Sequence, residues 1–352
     1  MNSCLCDGGA ERVMTLLANE FVKREYETHM VLVRDNKEKI YYLEPEVELH
    51  ELKYGQCFKL LKFFKRIRLL RDTIKDVNPD VIISFTLDIN VVTIIASSGL
   101  SKRVIVSERN YPKAKESIAR TVLRWCGEKI LYPKVHRIVL QTEMVRECFG
   151  ANVKSKSVVI PNPINPDVPE RYDGEREKSI VAVGRLDKQK NFPMLLRAYA
   201  RFNKIHNDYQ LIIYGDGPLR EELYILATDL RIAGKVLMPG YVSDVNEKMK
   251  KAYVYVSSSD YEGISNTMLE ALAMGIPSIC TDCPAGGAAM MIKNRENGIL
   301  IPVGDEDALL DGLCELVENE ALAQRLSLNA VKICNEVSIK KIADNWEKIV
   351  RY

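Results

Sequence analysis

The chain has 352 residues, 47% of them hydrophobic and 28% charged, a size and composition that fit two ordinary globular domains and exclude a disordered or fibrous chain. Fifty lysines and arginines against 48 acids leave a net charge of +2. No global field of the kind that gathers nucleic acid is expected, so any basic preference is local.

In chain order, Gly8-Gly9-Ala10-Glu11-Arg12 reads as a strand-to-helix turn, yet only Met1 to Asp7 precede it. Seven residues are too few, and these too polar, for a full buried strand. The expectation is that the sequence begins inside its natural first strand. Strand-like runs follow at Thr28–Val33, Asp80–Phe85, Arg103–Ser107, Arg137–Leu140 and Ser157–Ile160, with helices at Ala10–Arg24, Cys57–Val77 and Ser117–Leu131. The longest apolar stretch, around Val91 to Leu100, carries Thr93, Ser97 and Ser98 and falls well short of the ~20 residues of a membrane span.

Pro161-Asn162-Pro163-Ile164-Asn165-Pro166 then breaks regular structure, since proline lacks the N–H and restricts its predecessor. This places a boundary between a domain over 1–164 and a second over 165–337. The second half offers strands at Ser179–Val183, Gln210–Tyr214, Lys235–Met238, Tyr253–Val256, Ser278–Cys280 and Gly298–Ile301. Helices at Phe192–His206, Leu219–Arg231, Ser265–Met274 and Asp305–Glu318 separate them, and two more, near Glu320–Asn335 and Ile339–Tyr352, close the chain. Such alternation predicts an α/β protein of two doubly wound domains facing each other across a cleft.

Four loops of the second half sit where strands give way to helices or turns, the sheet edge at which open α/β proteins bind ligands. Gly184-Arg185-Leu186-Asp187-Lys188-Gln189-Lys190-Asn191 sends out Arg185 and Lys190, either of which can reach a phosphate. The bland alternative is a pair of solvated loop cations. Gly215-Asp216-Gly217-Pro218 permits a tight turn or close approach of a ligand. Pro239-Gly240-Tyr241-Val242-Ser243 can present backbone groups to a base, or is simply a loop. The last, Glu262-Gly263-Ile264-Ser265-Asn266-Thr267-Met268-Leu269-Glu270, sets two carboxylates eight positions apart around a helix start. Backbone N–H groups there suit a diphosphate, and the carboxylates can accept bonds from sugar hydroxyls. The combination points to a sugar nucleotide.

Other candidates read more plainly. The nine cysteines are scattered and odd in number, without a preceding secretory signal, so reduced thiols in a cytoplasm are expected. Cys280-x-x-Cys283 has no second pair at zinc-site spacing and is read as two small residues at a strand end. Asp305-Glu306-Asp307 has the form of a metal-dependent transferase motif, but it opens a helix, where acids interact favourably with the dipole. No catalytic metal and no cofactor are expected. Phe58 to Arg71 carries Lys59, Lys62, Lys65, Arg66, Arg68 and Arg71 with no acid, interleaved with apolar residues. A helix of this kind can lie on anionic lipid or hold a lipid-linked diphosphate, with Lys62, Lys65 and Arg66 as contacts; otherwise its basic face is merely solvated.

Gly-Gly-Ala-Glu-Arg, Gly-Arg-Leu-x-x-x-Lys-Asn, Gly-Asp-Gly-Pro and Glu-x7-Glu followed by Ala-x-Ala-x-Gly-x-Pro occur in this order over nearly the whole chain. Together they resemble the retaining glycosyltransferases of family 4, of GT-B fold, and among them the bacterial enzymes that extend undecaprenyl-diphosphate-linked glycans with N-acetylgalactosamine or a related hexose. The resemblance implies a C-terminal helix, 338–352, that returns towards the N-terminal domain. It implies that Glu270 binds ribose hydroxyls, and that Glu262 with Gly263, Ile264 and Ser265 holds the transferred sugar. Asn266 and Thr267 would lie against the diphosphate, and Arg185 and Lys190 would neutralise the departing UDP. Gly184, Gly215, Tyr241 and Val242 would border the nucleotide, and Gly8 and Gly9 would let the first domain approach the donor.

Related enzymes often carry Glu-His where this chain has Ser107-Glu108-Arg109-Asn110, so a histidine role does not carry over. Glu108, Arg109 and Asn110 are acceptor-loop candidates, or a structural loop. Cys283-Pro284-Ala285-Gly286-Gly287 likewise lacks the proline and glutamate that relatives often show after the glycine.

The implied activity is hexosyl transfer from a UDP-sugar to a polyprenyl-diphosphate-linked acceptor, at the cytoplasmic face of an anionic membrane and without nucleic acid. One alternative is a non-catalytic sugar-nucleotide-binding assembly subunit. A Rossmann-type oxidoreductase is a weaker one, because Gly-x-Gly-x-x-Gly after a strand is missing.

Overall fold

A computed structural model describes residues 1, 5, 8–33, 41–53, 59–114 and 117–351. Most of the expected partial first strand, and Cys57 and Phe58 at the start of the basic helix, lie outside these residues. The chain divides into two compact units, one of residues 1–163 with 339–352 and one of residues 164–338.

In unit 1, β1 (His29–Leu32) and β2 (Glu48–Glu51) form a parallel pair, and β3 (Val81–Phe85), β4 (Arg103–Ser107), β5 (Arg137–Leu140) and β6 (Ser157–Val159) form a four-stranded parallel sheet in that order. Val104 to Val106 and Ile138 to Leu140 are buried, as near-continuous aliphatic runs of parallel strands are when both faces are covered. Helices α1 (Gly9–Lys23), α2 (Lys59–Val77), α3 (Leu87–Ser97) and α4 (Ile118–Cys126) accompany these strands.

One stretch finds its structure here, and one expectation changes. The apolar stretch near Val91 is a helix, α3, whose hydroxyls turn inward: Ser97 Oγ donates to Thr93 O at 2.7 Å. The expected helix Ser117–Leu131 leaves α-geometry at Gly127, and Gly127–Leu131 winds as a π-turn. Gly127 lies against α3, where a Cβ would come within 3.2 Å of Leu87 Cδ1.

The C-terminal helix Ile339–Arg351 belongs to unit 1. Its Trp346 is fully buried, and Arg24 at the end of α1 reaches Asp344 (2.7 Å) and Glu347 (2.9 Å).

Unit 2 is a six-stranded parallel sheet of β7 (Glu177–Val183), β8 (Gln210–Tyr214), β9 (Val236–Gly240), β10 (Ala252–Ser257), β11 (Ser278–Thr281) and β12 (Ile299–Ile301). Their order across the sheet is β12-β11-β10-β7-β8-β9. The chain starts in the middle, steps outward through β8 and β9, then jumps back past β7 to β10 and continues outward. That reversal opens a crevice between β7 and β10 at the strands' carboxyl ends, the switch point where doubly wound sheets bind ligands. Ile180, Leu211, Val254 and Ile279 of the strands pack with Leu195, Tyr199 and Leu313 of flanking helices in one core. Among the described residues no helix is long and apolar enough to cross a membrane.

Candidate functional site

The crevice is built first by backbone. Leu186 is fully buried and pins the loop after β7, its N–H donating to Asp216 O at 3.0 Å. Gly215 sits at φ +127, and a Cβ there would lie 2.0 Å from Gly184 O. A Cβ on Gly217 would lie 2.5 Å from Leu186 O. The glycines of Gly-Asp-Gly-Pro therefore serve close approach to the neighbouring protein backbone. Gly215 N–H in turn donates to Gly240 O at 2.8 Å, which ties in the loop of Tyr241 and Val242, with Tyr241 exposed.

Lys190 ends a 3₁₀ turn that Asp187 caps by accepting from Gln189 N–H. Asn191 follows at φ 44, in the left-handed region an asparagine tolerates. Its side chain caps the helix Phe192–Phe202 and donates to Asp260 Oδ1 at 2.7 Å. Thus fixed, Lys190 runs over Gly184, where a Cβ would meet its Cε at 2.8 Å, and its Nζ reaches Glu262 Oε2 at 2.5 Å. Gln189 Nε2 (3.2 Å) and Ser259 Oγ (3.3 Å) donate to the same oxygen. The two charged side chains are 16% and 20% exposed, a half-buried pair at the mouth of the crevice. Arg185 stands apart, 74% exposed and 4.0 Å from Asp187.

The Glu262 loop is braced from behind. Glu262 N–H donates to Pro284 O at 3.1 Å, and Thr281 Oγ1 to Ser259 O at 2.6 Å. A Cβ on Gly287 would lie 1.8 Å from Gly263 O, so the segment after Cys283 shapes Gly263 and Ile264 by direct backbone packing. The helix Asn266–Ala273 begins at this point, capped by Ser265, whose Oγ accepts from Met268 N–H. Thr267 Oγ1 lies 3.0 Å from both Ser265 Oγ and the buried Tyr255 hydroxyl; burial pushes that phenol well up, and it stays neutral. Glu270, on the same helix, is only 1% exposed.

The remaining candidates have surroundings of their own. In unit 1, Gly8 caps α1 and Gly9 is its first residue. Glu108 and Arg109 are both buried after β4. Tyr132 donates to Glu108 Oε1, Arg124 lies 3.7 Å from Oε2, and Tyr132 also accepts from Asn90 Nδ2 at 3.3 Å. Arg109 stacks over Phe85 (4.0 Å) and faces Trp346 (5.8 Å), donating to Asn162 Oδ1 at 2.7 Å. Burial alone pulls its guanidinium down to about 9. Asn110 is exposed.

On α2, Lys62 and Arg66 are partly buried and Lys65 exposed. Arg71 is spent on the end of α3, donating to Ala96 O (2.8 Å) and Ser98 O (2.7 Å). Cys280 and Cys283 are buried free thiols, Cys283 pushed up to about 11 chiefly by desolvation. Asp305 caps its helix by accepting from Ala308 N–H at 2.9 Å, and Arg201 holds Asp307 at 2.5 Å. Sequence reasoning passed over Ser259 and Asp260, and it quoted Gln189 and Gly287 within their loops without a role for either. Nothing in the string joined the four to one another.

The description "Glycosyltransferase Family 4" matches residues 7–168, and "Glycosyl transferases group 1" matches residues 169–333. A Campylobacter jejuni protein named GalNAc-alpha-(1->4)-GalNAc-alpha-(1->3)-diNAcBac-PP-undecaprenol alpha-1,4-N-acetyl-D-galactosaminyltransferase is 30% identical over 98% of this chain and 96% of its own. A second protein of that organism, N-acetylgalactosamine-N,N'-diacetylbacillosaminyl-diphospho-undecaprenol 4-alpha-N-acetylgalactosaminyltransferase, is also 30% identical, over 90% and 89%. Among solved structures, sucrose-phosphate synthase from Thermosynechococcus elongatus superposes with a TM-score of 0.85 at 18% identity, over 98% of this chain and 93% of that one. Anabaena HepE in complex with UDP-glucose gives 0.84 at 16%, over 99% and 97%. Both halves are thus matched in succession, and by relatives of the same length: the chain belongs to the glycosyltransferases of family 4 and has the GT-B fold.

Proposed function

We propose that this chain transfers a hexose, N-acetylgalactosamine being the first candidate, from a UDP-sugar to a polyprenyl-diphosphate-linked glycan, with retention of anomeric configuration and without a catalytic metal. The observation that carries the reading is the 2.5 Å Lys190–Glu262 pair at the β7/β10 crevice, beside the amino end of the helix Asn266–Ala273. Among the described residues, every hydrogen bond to the Glu262 carboxylate falls on Oε2. Oε1 then accepts from a sugar hydroxyl, while the N–H groups around Ser265, Asn266 and Thr267 take the diphosphate. Lys190, with Arg185 swinging in from solvent, stabilises charge on the departing UDP, each fixed donor contributing a few kcal/mol. Glu270 takes the ribose, and the loop of Tyr241 and Val242 borders the base. Glu262 is tied to a cation and Glu270 is buried, so neither acts as nucleophile, and substitution proceeds on the front face.

The acceptor's lipid favours a membrane-facing side of unit 1. On α2, Leu61 and Phe64 are exposed together with Lys65 and Arg68, and α4 exposes Ile118, Val122 and Trp125. Apolar side chains interleaved with cations suit an anionic headgroup layer, each cation contributing about 1 kcal/mol. Lys62, Lys65 and Arg66 would then also face the acceptor's phosphates, at the inner face of the cell membrane.

A panel of radiolabelled UDP-sugars with polyprenyl-diphosphate-linked acceptors tests the transfer. Turnover of one sugar is expected, and binding without transfer would turn the reading to that of an assembly subunit. For the membrane side, replacing Lys62, Lys65 and Arg66 by glutamate is expected to lower binding to anionic liposomes, and unchanged binding would remove it.

A further inference from the structure

Two of the four histidines in this chain face each other in unit 1. In the parallel pairing of β1 with β2, His29 lies opposite Glu48 and Val31 opposite His50. Alternate residues of a strand share a face, so His29, Glu48 and His50 project on one side. Their donor atoms converge: His29 Nδ1 is 3.0 Å from His50 Nε2, Glu48 Oε2 is 3.4 Å from the first of these nitrogens, and Glu48 Oε1 is 3.4 Å from the second. Tetrahedral bonds of about 2.0–2.1 Å set neighbouring donor atoms about 3.3 Å apart. The two nitrogens and a Glu48 oxygen, all within 4.8 Å of one another, therefore lie close to such a coordination shell, which a small turn of the exposed carboxylate completes.

A second observation concerns the far side of the ring. His29 Nε2 lies 3.1 Å from Glu27 Oε1. A carboxylate there keeps the proton on Nε2 and leaves Nδ1 presenting a lone pair. That lone pair then meets a carboxylate oxygen and a second imidazole around one point. A proton shared between the rings satisfies only the nitrogens, whereas a divalent cation satisfies all three atoms.

We propose that His29, His50 and Glu48 bind a divalent transition-metal ion of the zinc type, oriented by Glu27. Two imidazoles and one carboxylate suit this class, and water takes the fourth position. The exposed Glu48 gives the ion its way in. Bound there, it would clamp β2 to β1, the strand pair from which the chain enters α2. The site takes no part in the transfer chemistry and does not rest on that reading.

The test strips the full chain with a chelator and titrates it with zinc by calorimetry, then with cobalt(II) by absorbance. Expected are one zinc per chain and a rise in melting temperature, both absent in His29→Ala and His50→Gln, with affinity 10–100-fold weaker in Glu27→Gln. Cobalt should give visible bands without a sulfur charge-transfer band. Such a band would assign the ion to a cysteine-bearing group, such as His206, Cys314 and Glu318 in unit 2, and overturn the proposal. So would the absence of stoichiometric zinc in the wild-type chain, or its retention when both histidines are replaced. Should the variants fold poorly, zinc is expected to protect His29 and His50 of the wild-type chain from diethylpyrocarbonate. Equal modification with and without zinc overturns the site.

Discussion

The loops after β4 and after β10 both leave the carboxyl end of a parallel strand, and they hold their charges in opposite ways. After β4, Glu108 and Arg109 are buried, the carboxylate among Tyr132 and Arg124 and the guanidinium between Phe85, Trp346 and Asn162. After β10, Glu262 is tied on one oxygen to a half-buried lysine at the mouth of a crevice. A charge already enclosed by its own domain holds a shape, whereas a charge met halfway can exchange its partner for a ligand.

Four substitutions test this contrast, from the largest effect to the smallest. Lys190→Ala should lower kcat by about 10²–10³, some 3–4 kcal/mol of transition-state stabilisation, with little change in melting temperature. An unaltered kcat would place the chemistry elsewhere. Arg109→Ala should do the reverse, costing about 3 kcal/mol of stability through lost ring packing and an emptied interior site. A large loss of turnover at unchanged stability would make the β4 loop chemical after all. Gly287→Ala should cost about 2 kcal/mol by overpacking against Gly263 and weaken UDP binding; normal binding would show the brace to be dispensable. Arg185→Ala should move stability by less than about 0.5 kcal/mol, since the side chain is mostly exposed, yet reduce turnover. If turnover holds, Arg185 is only a solvated loop cation.

Much of unit 2 was legible because its signals are local. Buried aliphatic strands, glycine-bearing turns and the Glu262–Glu270 segment each declare themselves within a few residues. Lys190 was read as a phosphate ligand, and the structure shows it resting on Glu262, a pairing across 72 positions that no local pattern contains. β2 was missed since Glu-Leu-His-Glu carries a single aliphatic residue, and only its register against β1 makes it a strand. Gly287 was invisible for a related reason: the backbone it must avoid belongs to Gly263. Glu108 and Arg109 were correctly placed at a strand end, but burial comes from helices distant in sequence, Trp346 among them.

That tryptophan has a consequence for biosynthesis. Unit 2 is one uninterrupted stretch, whereas unit 1 is completed by residues 339–352. A ribosome releases the whole of unit 2 before it supplies the helix that covers Phe85 and Arg109. The earlier-made half must therefore wait, with an open seam, for residues 339–352. Premature termination near Ser338 would spare the later-made half and strand the earlier one.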